Sequence, residues 1–220
     1  MEKLDYIVWE SAGELTDRLA GIAGDVSALT VHLADTAEAI PEPPLLLGRG
    51  PDAAAVVSVW LHSLDDRGPV EDALGDKVDG YLVTESVPQR RADRGWGDGE
   101  RSPGVTHCTW FPKPDRLSDE DFYRGWHDIH TPASFRLHPL RWEYVRDAVA
   151  RPVTAAAPPV RAIVFERFRT VEDYADPSRL YGPPETLDET MRDLPLYADF
   201  ESISSAPFSE VILKSSDSQR

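Results

Sequence analysis

The chain has 220 residues, with 39 Asp and Glu against 23 Lys and Arg, a formal net charge of −16, and 41% hydrophobic residues. That balance repels nucleic acid and anionic membranes, which need clustered basic residues, and the one basic run, "QRRADR" at 89–94, stands among Gly and Asp. A single cysteine, Cys108, excludes an intramolecular disulfide; no apolar run approaches the ~18 residues of a membrane span, and the acidic N-terminus lacks a signal peptide's basic start, so a cytoplasmic protein with small-molecule partners is expected.

"KLDYIVW", 3–9, is β-branched and aromatic and reads as a strand. "SAGELTDRLAGIAGD" follows with Leu15, Leu19 and Ile22 at helical spacing, and with Ser11 and Glu14 placed as a capping box. "SALTVHLADT", 27–36, is a second strand, "PEPPLLLGRGPD", 41–52, a loop, and "AAVVSVWLHSL", 54–64, a third strand. Pro69 opens a short helix, and "GYLVTESV", 80–87, closes the unit. The second half repeats the order. It runs through strand 104–111, a helix from Ser118 to about His130, strands 141–149 and 160–168, helix broken by Pro177 and Pro183–Pro184, and strand 203–213. Trp9 and Trp110 take matching places at the ends of the two first strands.

Each half therefore reads as β-α-β-β-α-β, a ferredoxin-like unit with helices on one face of an antiparallel sheet. The expected fold class is α+β: two ferredoxin-like repeats, at 1–88 and 104–214, joined by a Gly-rich charged linker at 89–103. Their sheets close into an α+β barrel with the helices outside. A hollow between the sheets is the place for a ligand.

The densest chemical cluster is "DFYRGWHDIHTPASF", 121–135. On a helix, Phe122, Trp126, Ile129 and Ala133 form the buried stripe, with His130 on its flank and His127 nearer solvent. Pro132 disfavours helix at Thr131, which puts His130 in the last turn. There the helix C-terminus and an apolar wall act on its charge in opposite directions, as suits an acid or base. The plain alternative is that His130 only hydrogen-bonds the following loop. His127 and His130 are three apart with diverging rings, so no metal site is expected. Nothing marks a haem, a phosphate-cradling loop or a nucleophile elbow.

"KPDRLSDEDFYRGWHDIHTPAS" followed by "RWEYVRDAV" resembles the EthD-like group of the dimeric α+β barrel superfamily, through Lys113, Pro114, Ser118, Phe122, Trp126, His130, Pro132 and Tyr144. The resemblance covers about 104–150. It implies the barrel fold, with this chain a fusion of two units that elsewhere pair as dimers, and it points to a homodimer as a further partner. Its relatives include polyketide cyclases, decarboxylases of aromatic acids and cofactor-free monooxygenases. The first half lacks the Trp-x-x-x-His-x-Pro stretch, so at most one full site per chain is expected.

Strand alternation supplies the remaining candidates. Trp60 and His62 share the polar face of 54–62, whose other face (Ala55, Val57, Val59, Leu61) is apolar and belongs under the helices. His107 and the set Trp142, Tyr144 and Arg146 are expected to face the barrel interior too, with Trp110 as a further wall. The expected function is a cofactor-independent enzyme acting on a small aromatic or polyketide-like acid by decarboxylation or cyclisation. His130, His107 and Tyr144 would be catalytic, and Arg146, Trp142, Trp60, His62 and Trp110 would bind substrate. Two alternatives stand beside it: a cofactor-free monooxygenase of phenols, and a non-catalytic barrel whose cavity is too small for a ring system.

Overall fold

A computed structural model describes residues 1–10, 13–35, 40, 53–92 and 94–216. The expected cap at Ser11 and the loop 41–52 lie outside them. Eight strands close into one antiparallel barrel: β1 Glu2–Val8, β2 Ala28–Ala34, β3 Ala55–Leu61, β4 Val78–Gln89, β5 Val105–Pro112, β6 Arg141–Pro152, β7 Val160–Phe168 and β8 Ser204–Lys214. Around the barrel the order is β1-β3-β2-β8-β5-β7-β6-β4. Each half thus contributes its strands in the same sequence, β4-β1-β3-β2 and β8-β5-β7-β6. The halves meet at two seams, β2 with β8 and β4 with β6.

Both faces of this sheet are buried. On the first half, α1 (Leu15–Ile22) and α2 (Gly68–Leu74) cover an apolar layer that includes Leu4, Tyr6, Val31, Val57 and Val59. The expectation for β3 holds: Ala55, Val57, Val59 and Leu61 lie under the helices, while Val56, Ser58 and Trp60 face the interior. One end of the interior is packed by Ile7, Tyr81, Cys108, Trp110, Ile163 and Phe208. Trp9 meets Trp110 edge to face at 6.4 Å.

The other end is polar. Lys3 sits in the barrel wall 2.7 Å from Asp147, 2.9 Å from Glu85 and 3.9 Å from Asp5. Burial opposes its charge, and the three carboxylates outweigh burial and hold the ammonium protonated. The Gly-rich, charged linker is tied across this end. Arg91 pairs with Glu143 and Glu210, Ser102 bonds Glu210, and Arg101 bridges to Val211.

On the second half the outer face of the sheet carries α3 (Asp119–Tyr123), a π-helical stretch Arg124–His130, α4 (Thr131–Leu137), α5 (Val171–Ala175), α6 (Pro177–Leu180) and α7 (Pro184–Asp193). The helix expected to stop at His130 therefore continues to Leu137. No helix among the described residues is long and apolar enough to cross a membrane.

Candidate active site

Ser118, where the helix was expected to start, caps this helical run by accepting the Asp121 N–H at 3.0 Å. The wide turn then accommodates Pro132. A proline in an α-helix removes one bond and crowds a carbonyl a turn earlier. Here the ladder opens just before it: the Thr131 N–H reaches back five residues to the Trp126 carbonyl, which also accepts the Thr131 hydroxyl at 2.9 Å. The wider turn shifts the buried face. Phe122, Gly125, Trp126, His130, Thr131 and Ser134 are buried, whereas Ile129, expected in the stripe, is 43% exposed. Gly125 is needed here, since a Cβ would lie 2.2 Å from the Leu196 carbonyl oxygen.

Between this helical layer and the outer face of β5, β6 and β7 lies a cleft of about 70 Å³. Three histidines line it (His107, His130 and His138), together with Glu166, Tyr144 and Tyr197. Trp126, Phe111 and Phe168 give it aromatic walls. The His130 ring packs 4.7 Å from the Tyr197 ring, and its Nδ1 is buried without a hydrogen-bond partner. His107 Nδ1 meets the Tyr174 hydroxyl at 2.9 Å. His138 Nδ1 donates to the Leu180 carbonyl at 3.2 Å, which leaves Nε2 as the acceptor of the neutral ring. Glu166 is ion-paired to the buried Arg141 guanidinium, which also lies 4.1 Å from the Tyr144 ring centre.

Burial dominates the electrostatics. It lowers the His130 pKa to about 4, Glu166 acting in the opposite sense, and His107 is lowered to about 4 by the same cause. His138 is lowered as well. Burial works against the Glu166 charge, but His138, Arg141 and His107 outweigh it and hold the carboxyl at about 2. Burial raises Tyr144 and Tyr197, so both keep their protons. At neutral pH the cleft thus holds neutral imidazoles and phenols beside one paired carboxylate. Such a site can accept a proton at a ring nitrogen and donate hydrogen bonds to a developing oxyanion.

The expected site residues divide between two places. His130, His107 and Tyr144 come together as expected, but in this cleft and not in the barrel interior. Arg146 stands at its edge: its guanidinium donates to Thr131 at 2.6 Å and lies 6.0 Å from the Trp126 ring centre. The alternation of β5 and β6 placed these residues on shared faces. Those faces point to the helices, while Glu143, Val145 and Asp147 point inward. Trp60 and Trp110 do face the interior, the wall opposite the cleft. His62 is exposed beyond the end of β3 and reaches neither space. Trp142 packs on Trp96 of the linker at 5.7 Å and beneath Arg169, clear of the cleft lining.

Glu166, Arg141, His138 and Tyr197 were not foreseen. Glu166 had a readable signal: it is a carboxylate on the same face of β7 as Ala162 and Val164, an apolar face that should lie under helices. Among the described residues no group of three or more His, Cys, Asp or Glu is spaced to hold a metal ion.

No family model matches the chain, and no curated protein does. Solved structures share its fold. An anthrone oxidase-like protein superposes with a TM-score of 0.57 at 13% identity, covering 96% of this chain and 92% of that one. A protein from Fusobacterium nucleatum subsp. nucleatum, named as a provisional monooxygenase, covers 97% and 92% at 10% identity, with a TM-score of 0.49.

Proposed function

We propose that the protein is an enzyme that oxidises a phenolic or anthrone-like aromatic compound with molecular oxygen, without a bound cofactor, in the cleft beneath the π-helical stretch. The observation that carries this reading is His130: a neutral, buried imidazole with an unpartnered nitrogen, walled by aromatic rings and backed by an ionised Glu166. The name of the anthrone oxidase-like fold relative agrees with oxidation. Decarboxylation and cyclisation draw no support from these comparisons. The matching strand order of the two halves supports reading them as ferredoxin-like repeats, at 1–88 and 104–214.

In this mechanism His130 takes a proton from a ring-activated CH₂ or a phenol. The developing oxyanion favours the imidazolium, as does Glu166. Tyr197, which remains protonated, donates a hydrogen bond to that oxyanion. The carbanion passes an electron to oxygen, and the radical pair combines to a peroxide. Loss of water, with the proton returned from His130, leaves a carbonyl. The balance is CH₂ plus O₂ to C=O plus H₂O; for a phenol, the hydrogens of the O–H and of the attacked ring C–H leave in the water and a quinone remains.

The volume favours a second reading. A water's share of liquid is about 30 Å³, and in another protein it took a cavity of about 150 Å³ to hold benzene. At about 70 Å³ the cleft is too small for a ring system, and admitting one requires its walls to move apart. A cleft that never opens makes the histidines structural. The test is oxygen uptake with anthrone, wild type beside His130→Gln, under air and under nitrogen. Oxygen-dependent turnover that falls at least about 100-fold in the variant supports the proposal. Equal rates remove His130 from the chemistry, and turnover of an aromatic acid under nitrogen restores decarboxylation.

A further inference from the structure

The barrel interior holds a larger space than the cleft. At its polar end is a cavity of about 780 Å³, within the ~300–1,000 Å³ usual for small-molecule sites. The sheet separates it from the cleft. Its wall includes the Trp60 and Phe165 rings. The Lys3 ammonium lies 4.7 Å from the first ring centre and 5.4 Å from the second, and His32 stacks on Phe165 at 4.7 Å.

The charges around it are not equally engaged. Each lining carboxylate already has a partner: Glu85 pairs with Lys3, Glu143 with Arg91, and Glu210 with Arg91 and Arg167, while Glu2 accepts the Leu64 N–H. Arg94 pairs with Asp98. Arg90, which lines the cavity mouth, has no carboxylate partner among the described residues. Its position is set by its neighbour, because Arg91 anchors the linker to Glu143 and Glu210. Deeper in, Arg167 also lines the cavity; it is 1% exposed, and its Nε is buried without a partner. In a chain of net charge −16 the one basic run of the sequence is thus set at the mouth of an aromatic-walled cavity.

We propose that the barrel lumen is a second ligand site, which takes a planar aromatic molecule carrying one negative charge. The rings provide stacking surface, and Arg90 meets the anionic group at the rim. Lys3, Arg91, Arg94 and Arg167 are each already paired with carboxylates, which leaves Arg90, among the described residues, as the side-chain cation free to meet a single anionic group. This site is independent of the oxidation proposed for the cleft.

The test uses two fluorescent probes of similar ring size, the sulfonate 8-anilinonaphthalene-1-sulfonate and the uncharged N-phenyl-1-naphthylamine. Wild-type protein should bind the sulfonate saturably with one-to-one stoichiometry. Arg90→Glu, an exposed change that leaves the fold intact, should weaken the sulfonate about three- to tenfold and the neutral probe less than twofold. Thr30→Phe, which fills the lumen from β2, should abolish both, with a thermal melt to confirm folding; if it does not fold, Arg90→Glu alone decides. Absence of saturable sulfonate binding overturns the proposal, as does sulfonate affinity unchanged in Arg90→Glu.

Discussion

Acidification should destabilise this protein through the histidines of its cleft, and the size of the effect follows from their burial. An unfolded histidine takes up a proton below about pH 6.5. Folded His130 and His107 do so only below about 4. Between those values the unfolded chain binds more protons, so stability is full above about 6.5 and declines towards 4; neither ring contributes further loss below that. At about pH 5 the unfolded ring is almost fully charged and the folded ring about one-tenth charged, which costs about 2 kcal/mol for each ring. Against a total of roughly 5–15 kcal/mol, two rings are a large loss. Urea unfolding followed by circular dichroism at about pH 7.5 and pH 5 measures it. His130→Gln carries its own stability cost at both pH values, yet its loss between them should be about 2 kcal/mol smaller than that of the wild type. An identical pH dependence in the two proteins would refute the claim that His130 is held neutral by burial.

Three further outcomes follow from named contacts. Lys3→Met leaves Asp147 and Asp5 buried without their cation and should cost about 3–5 kcal/mol in denaturant unfolding. Gly125→Ala drives a methyl into the Leu196 carbonyl and should lower stability by about 1–3 kcal/mol, read by thermal melt, because backbone on both sides must shift. His62→Ala should change neither stability by more than about 0.5 kcal/mol nor turnover, since the ring is exposed and away from both cavities.

Much of the barrel was legible in the chain. The positions of the strands along the chain and the apolar face of β3 follow from alternation, and the pairing of His130 with Tyr144 was expected from the resemblance over 104–150. The direction of the faces on β5 and β6 was not legible. Alternation says which residues share a face, and it assigns that face to core or solvent only when one side is wet. Here both sides are buried, and the lumen is the more charged of the two, with Lys3, Asp147 and Glu143 inside. The rule that sends polar faces inward therefore picked the wrong side for His107, Tyr144 and Arg146. The exposure of Ile129 was hidden for another reason. A 3.6-residue period cannot anticipate a wide turn, and Pro132, which read as a stop, instead marks where the turn widens.

Closing the barrel within one polypeptide has a consequence for how its surfaces can change. Where two identical subunits build such a structure, every substitution appears twice, and a costly polar cluster must be tolerated in both copies. Here the space under α1 and α2 is filled with aliphatic side chains and Tyr6, while the layer under the helices of the other half holds three imidazoles and a carboxylate. One side can act as ballast for the stability that the other gives up.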